Sequence, residues 1–242
     1  GDTAQLLPVG QERSPALDAA VMGGYGLNVV EYELREVARQ AAESGILYNA
    51  TRLRECMEEM PLPRPCLRVN GFPDVEALSG EYLVERISDS YDRVGLDETI
   101  VVTRSNKRAN IFNQGIRNQI LYREEELTAG DLLLVAKNNY FWGKDYKEVD
   151  FIANGDVARV VRVLKRLKTD PWFNALQVKY AYGVTCHKAQ GGQWKHVYVD
   201  MGYIPQGAVS LDFYRWLYTA FTRATEKIWL VNMSEEFREP SL

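Results

Sequence analysis

Two histidines and three cysteines in 242 residues leave little from which to build a metal centre or a disulfide frame. Cys56, Cys66 and Cys186 are odd in number and form no C-x-x-C pair, which argues against a disulfide scaffold and for a reducing interior. Cys186, His187 and His196 are the only cluster that could suggest zinc. Adjacent residues of a strand point to opposite faces and no fourth ligand stands nearby, so no metal site is expected. No apolar run approaches the length of a membrane span and no signal peptide opens the chain, so no membrane partner is expected. Positive charge is also in short supply. Lys and Arg number 29 against 33 Asp and Glu, for a net charge of -4. The field of the whole molecule therefore does not draw it onto nucleic acid, and any such binding must use a local groove. The sequence holds no G-x-x-x-x-G-K-[ST] loop, dinucleotide glycine motif, paired carboxylates or serine–histidine arrangement. Nothing in it supports a small-molecule α/β enzyme.

What is present reads as helices alternating with strands. Val30, Leu34, Val37, Ala38 and Ala41 recur at helical spacing before Gly45, and Ile46, Ala50, Leu53 and Met57 make a second stripe ended by Pro61. The PLPRP stretch at 61–65 is stiff and extended, a linker. A third helix is expected over about 79–94, with Leu83, Ile87, Tyr91 and Val94 on one face. TIVVT at 99–103 reads as a buried strand, leading into a helix that carries Ala109, Phe112, Ile116 and Ile120. Further strands are expected at 132–136, at 157–163 after an Asn154-Gly155 turn, and at 176–184, 196–200 and 228–231, with a helix over 211–225. This order predicts an α/β fold with a mainly parallel sheet, which places ligands at the carboxyl ends of its strands.

Three segments at such places carry chemistry. In YGVTCHKAQGGQW, Thr185, His187, Lys188 and Gln190 supply hydroxyl, imidazole, ammonium and amide donors, and Gly191 and Gly192 let main-chain N–H groups come close. The set suits a phosphodiester backbone, or is a polar strand-to-helix turn whose glycines serve geometry alone. In SLDFYRWLYTAFTRATEK, Phe213, Tyr214, Leu217, Ala220, Phe221 and Ala224 share one helical face, while Thr219, Thr222 and Arg223 project from the other. Arg223 is then a rigidly held guanidinium that stabilises a transferring phosphoryl group, or a solvated arginine on an exposed face. The opening GDTAQLLPV places Asp2 and Gln5 on a turn that could hold a water or a phosphate oxygen. Arg159, Arg162, Lys165, Arg166 and Lys168 form a basic run that is a DNA-facing edge or a solvated strand and turn.

Taken in order, these segments resemble the motifs of superfamily 1 helicases of the RecD-like type. GDTAQLLPV is similar to motif III, usually close to G-D-x-x-Q-L-P-P-V. LREVARQAAESGIL is similar to the motif IV region, and TIVVTRSNKRANIFNQGIR, with Asn106 and Asn113, to the strand and helix that open the second RecA-like domain. LTAGDLLLVAKNNY and FIANGDVARVV look like the segment that follows. VTCHKAQGGQW resembles motif V and LYTAFTRATEKIWLV motif VI.

The resemblance implies a RecA-like second motor domain over 96–242, joined to a helical remnant of the first motor domain and a linker over 1–95. It implies the C-terminal portion of an ATP-dependent DNA helicase: a DNA-stimulated ATPase moving 5′ to 3′ on single-stranded DNA. The alternative is a non-catalytic nucleic-acid-binding module that keeps the shape. Gln5, Arg39 and Arg223 would act on the nucleotide, with Gln190, Gly191 and Gln193 beside it. Asn106, Thr185, His187, Lys188 and Thr219 would lie along the strand. The implied cofactors are ATP and Mg2+ in the intact motor. The implied partners are single-stranded or partly duplex DNA and repair or recombination proteins, and the implied place is the cytoplasm. Three departures accompany this. With no P-loop, the chain is expected to bind no nucleotide and to hydrolyse no ATP by itself. Gln193 stands where motif V usually has a glutamate. Only residues 164–175 are available near 157–176 for an SH3-like insertion, so either it is truncated or a further segment belongs between Val163 and Leu176.

Overall fold

The computed structural model describes residues 1–32, 43–140, 151–163, 176–205 and 207–240. Arg39 and most of the first expected helix lie outside the described residues, as do Lys165, Arg166, Lys168 and the stretch 164–175. The chain groups into two compact units, Gly1–Leu83 with Ala189–Leu242, and Val84–Lys188. Both contain parallel strands and helices, as an α/β reading requires.

In the first unit, β1 (Val75–Leu78), β7 (Trp194–Asp200) and β8 (Ala224–Val231) run parallel with β8 in the centre. Val75 and Val197 both face Ile228 across the ladder, and Val199 faces Leu230. Such continuous apolar runs mark strands buried on both sides. Helices α2 (Gly45–Cys56) and α6 (Leu211–Phe221) pack on each other. Ser44 caps α2 by accepting from Leu47 N, and Asp74 accepts from Gly45 N at 2.9 Å and Ile46 N at 3.2 Å. Both devices satisfy donors that a helix leaves unpaired at its start. Ile46, Ala50 and Leu53 are buried as the second apolar stripe requires. A short helix that the sequence reading does not anticipate, α1 (Ala19–Gly24), precedes it, with none of its residues buried.

Two boundaries in this unit differ from the expectation. Helix α6 ends at Phe221 rather than near 225, because Ala224 already pairs with Trp194 in the parallel ladder. Moreover, α6 is buried almost all round: Trp216, Tyr218 and Thr219 are covered as well as Phe213, Tyr214, Leu217, Ala220 and Phe221. Thr219 and Arg223 therefore do not share a solvent-exposed face, contrary to the helical spacing. The second difference is β1, which lies among residues where the sequence suggests no strand. It pairs with β8 along its whole length and so belongs with the C-terminal strands.

In the second unit, α3 (Leu83–Val94) leads to β2 (Thr99–Thr103), fully buried as expected. Ser105 then caps α4 (Asn106–Gly115), which passes into a π-helical turn at Ile116–Ile120 rather than continuing as α-helix. Strand β3 (Leu132–Val135) lies between β4 (Val157–Arg159) and β5 (Val178–Tyr180), all antiparallel. The strand expected over 176–184 is two strands. After β5 the chain turns at Ala181-Tyr182 and enters β6 (Gly183–Thr185), which runs parallel to β2. A short helix, α5 (Cys186–Ala189), follows.

A buried charge cluster holds that turn. Asp131 is inaccessible and accepts from Arg117 at 3.1 Å and 3.2 Å, from Arg123 at 2.7 Å, from Tyr182 Oη at 2.8 Å and from Thr128 N at 2.8 Å. Burial alone would raise its carboxyl. The bonds from Arg117, Thr128, Tyr182 and Arg123 outweigh that and hold it below the ordinary carboxylate range. Arg117 also lies over the Tyr180 ring at 4.3 Å. The last residue of β5 and the turn residue before β6 are thus fixed around one carboxylate.

Candidate nucleic-acid and nucleotide sites

Parallel strands leave main-chain groups and side chains converging at their carboxyl ends. In the second unit β2 and β6 end side by side, Thr103 opposite Thr185. From these ends spring α4, which begins at Asn106, and α5, which carries His187 and Lys188. Between them lies a cavity of about 260 Å³. Its polar lining is Asn106, Asn110, Asn113, Asn154, Thr185 and the ammonium groups of Lys179 and Lys188, with no carboxylate among the described residues.

Several of these residues are held by one another. Lys179 Nζ donates to Asn106 Oδ1 at 3.4 Å, and Lys188 Nζ donates to Asn154 Oδ1. Among the described residues neither lysine pairs with a carboxylate. Partial burial, then the like charge of Lys179, pushes the Lys188 ammonium below the ordinary lysine range. An anion in the cavity would relieve both. Asn113 is different: it is buried, donates to Tyr180 O at 3.0 Å and Gly183 O at 2.9 Å, and accepts from Gly183 N at 2.7 Å. It fastens α4 to the start of β6 and supports the cavity wall. A Cβ on Gly183 would come within 3.2 Å of Phe112 and 3.4 Å of the Ala109 carbonyl, so glycine lets helix and strand approach.

Asn106, Thr185 and Lys188 are therefore neighbours in space, although Asn106 lies far from the other two in sequence. His187 is exposed beside them and does not line the cavity. Asn110, Asn154 and Lys179 complete the lining, and sequence reasoning misses all three. In the sequence Asn154 is only half of a turn, and Lys179 only an outward position on an alternating strand. Of the basic run, Arg159 is engaged by Asp97.

The first unit holds the opening segment against Gln190, Tyr218 and Thr219. Asp2 Oδ1 accepts from Ala4 N at 3.1 Å and Arg54 at 3.2 Å, and its Oδ2 from Tyr218 Oη at 2.7 Å and Gln5 Nε2 at 3.4 Å. The Asp2–Gln5 turn is thus present, with its side chains bonded to each other. Next in sequence, Leu6 is strapped twice. Its N–H donates to Thr219 Oγ1 at 2.9 Å, and its carbonyl accepts from Gln190 Nε2 at 2.8 Å. Thr219 is fully buried with its hydroxyl committed to Leu6, so the structure does not bring it to a nucleic-acid surface.

Arg223 is only 2% exposed and sits in the turn between α6 and β8. Its Nε donates to Thr219 O at 3.0 Å, Nη1 to Gly192 O at 2.8 Å and Nη2 to Thr222 Oγ1 at 3.0 Å. A solvated arginine is ruled out by this burial. The guanidinium is a staple joining Gly192 to the end of α6. Gly191 adopts φ +84°, which favours glycine, and a Cβ on Gly192 would meet the outer edge of the Trp194 ring at 2.3 Å, so a side chain there would have to displace that ring. Gln193 is exposed at the end of this loop.

Residues 180–231 match the family model of the UvrD-like helicase C-terminal domain. That stretch contains both segments whose sequences resemble motifs V and VI. No curated protein matches the chain. Among solved structures, a Pif1 helicase from Bacteroides in complex with ADP-AlF3 and ssDNA is similar, with TM-score 0.51 and 13% identity over 100% of this chain and 63% of that chain. A Pif1 helicase from Candida albicans gives TM-score 0.35 and 15% identity, over 85% of this chain and 57% of that one. The chain thus spans less than two thirds of either structure. The Bacteroides likeness is one of fold: an α/β domain resembling a helicase motor domain.

Proposed function

We propose that this chain is the C-terminal, strand-gripping and nucleotide-sensing part of a superfamily 1 DNA helicase of the RecD-like type. The observation that carries the reading is the helicase match over residues 180–231, the stretch that holds both Lys188 and the Arg223 staple. In this reading the cavity at Thr185 and Lys188, lined by cations and amides, binds the phosphodiester backbone of single-stranded DNA. Ammonium and amide donors meet phosphate oxygens there without reading sequence.

ATP bound to the intact motor would supply the phosphoryl group transferred to water, with ADP as the leaving group, and Mg2+ would offset the phosphate charge. The residues present fit one side of that nucleotide. Arg223 is a fixed, charged donor in a buried setting, and Gln5 is an amide on a turn held by Asp2. Arg39 is assigned beside them by resemblance alone. Nothing in the sequence supplies the phosphate-cradling P-loop, which this reading places in another part of the motor. Arg223 would stabilise charge developing on the transferred group, with its geometry preset by Thr219, Thr222 and Gly192. Because Leu6 is bonded to both Gln190 and Thr219, movement of the Gln5 turn would be passed to the motif V loop. Repeated closing on ATP and opening after hydrolysis would then step the motor along the strand from 5′ to 3′.

The test is ATP hydrolysis by the intact motor with and without single-stranded DNA. Hydrolysis should rise severalfold or more when the strand is added. A rate indifferent to DNA overturns the reading and leaves a module that binds without coupling.

A further inference from the structure

Beside the cavity, two aromatic rings lie outside the core. Tyr140 and Phe151 stack at 5.2 Å between centroids and 26° between planes, yet Tyr140 remains 61% and Phe151 41% exposed. Burial does not explain their position, because an aromatic pair in water forfeits most of the stabilisation that covering it would give. Their backbone is nevertheless well fixed. Asn139 and Ile152 exchange both main-chain bonds, at 2.8 Å and 2.9 Å, which sets the two rings next to each other.

The pair is tied to the cavity through a run of side-chain amides. Asn138 Nδ2 donates to Tyr140 Oη at 3.1 Å, and Asn138 Oδ1 accepts from Asn154 N at 2.7 Å. Asn154 Oδ1 accepts from the Lys188 ammonium inside the cavity. One connected polar path therefore leads from a phosphate-compatible cation to an exposed aromatic surface. Among the described residues the charge along it is positive. Lys179 and Lys188 line its cavity end, exposed Lys137 precedes Asn138 in the chain, and the Asp156 carboxylate is occupied by Ala153 N at 2.7 Å. Cations for the backbone next to a flat π surface for bases are the two elements of a single-strand track.

We infer that Tyr140 and Phe151 form a base-stacking platform extending the strand-binding site beyond Lys188. It takes unpaired bases of single-stranded nucleic acid with little preference for sequence, because every base offers a π face. This rests on the proposed reading of the Lys188 cavity as a backbone site. A protein partner using the same rings would have no need of the cavity's cations.

The experiment separates the two elements by the strand used. Binding of the 242-residue chain is measured by fluorescence anisotropy with a labelled oligothymidylate of about 16 nucleotides, enough to span one site. It is repeated with a base-free strand of the same length. The wild type should bind the thymidylate about tenfold or more tightly than the base-free strand, the size expected for stacking of one or two bases. Tyr140→Ala and Phe151→Leu should erase that difference and leave base-free binding unchanged, and Phe151→Leu keeps an apolar side chain in place. Lys188→Ala should weaken both strands. If the aromatic variants keep the wild-type difference, the platform is wrong while the cavity reading stands. If neither strand binds the wild type, the cavity reading fails and the platform with it.

Discussion

Asp131→Asn is expected to lower the unfolding free energy by about 3–5 kcal/mol, the cost of leaving buried charge without its counter-charge. Two guanidinium groups converge on this carboxylate, with the Arg117 side chain 3% and the Arg123 side chain 15% exposed. An amide removes the negative charge and turns one acceptor oxygen into a donor facing donors. Urea unfolding followed by circular dichroism gives the number, and a loss below about 0.5 kcal/mol would match an ordinary surface change and refute the role given to the cluster.

The pH dependence of stability should carry the same signature. The Asp131 carboxyl is held below its ordinary range, so its contribution is complete above about pH 4 and is lost as pH falls through the lower folded value. Burial, with donation to Asp131, pushes the Tyr182 hydroxyl up to about 12. Its contribution is complete below about pH 10 and fades as pH rises toward the folded value. Stability contributed by the cluster should therefore be flat between these limits, and Asp131→Asn should remove the acid limb.

Arg223→Ala in the intact motor should slow ATP hydrolysis at saturating ATP by about a thousandfold or more, the range found where an arginine stabilises a transferring phosphoryl group. The variant also removes bonds to Thr219 O, Gly192 O and Thr222 Oγ1, so a structural effect has to be told apart. Two readouts do so. A transition-state role predicts a fall in kcat with little change in ADP affinity, and little recovery in Arg223→Lys, which loses the planar fork. A staple alone predicts a lower melting temperature, an unchanged kcat in the folded fraction, and equal loss of ADP binding. Unchanged hydrolysis would remove Arg223 from the chemistry.

The helical and strand periods make most of the frame legible in the sequence. TIVVT, the stripe of α2 and the apolar face of α6 all carry their usual spacing. What escapes is decided by partners distant along the chain. Strand β1 has only the four residues VEAL, too short to show alternation, and exists because β8 offers its edge. The residues ATEK favour a helix by propensity, but pairing of Ala224 and Lys227 with Trp194 and His196 decides for strand. An exposed face for Thr219 and Arg223 presumes a helix wet on one side, a premise that fails when tertiary packing surrounds it. In the site, Thr185 and Lys188 are readable as donors on one short segment. Asn154 and Lys179 are not, since only the fold carries them to Lys188 and Asn106.

Salt dependence of single-strand binding by the 242-residue chain tests the central claim, that the cavity at Lys188 grips a phosphodiester backbone. The affinity should fall linearly on logarithmic axes as salt rises, because bound cations release counterions from the strand. Lys188→Ala should weaken binding at every salt concentration and reduce that slope by about one contact's worth, roughly 0.7 for a single strand. A chain that binds no strand at low salt, or a Lys188→Ala variant with the wild-type affinity and slope, would contradict it.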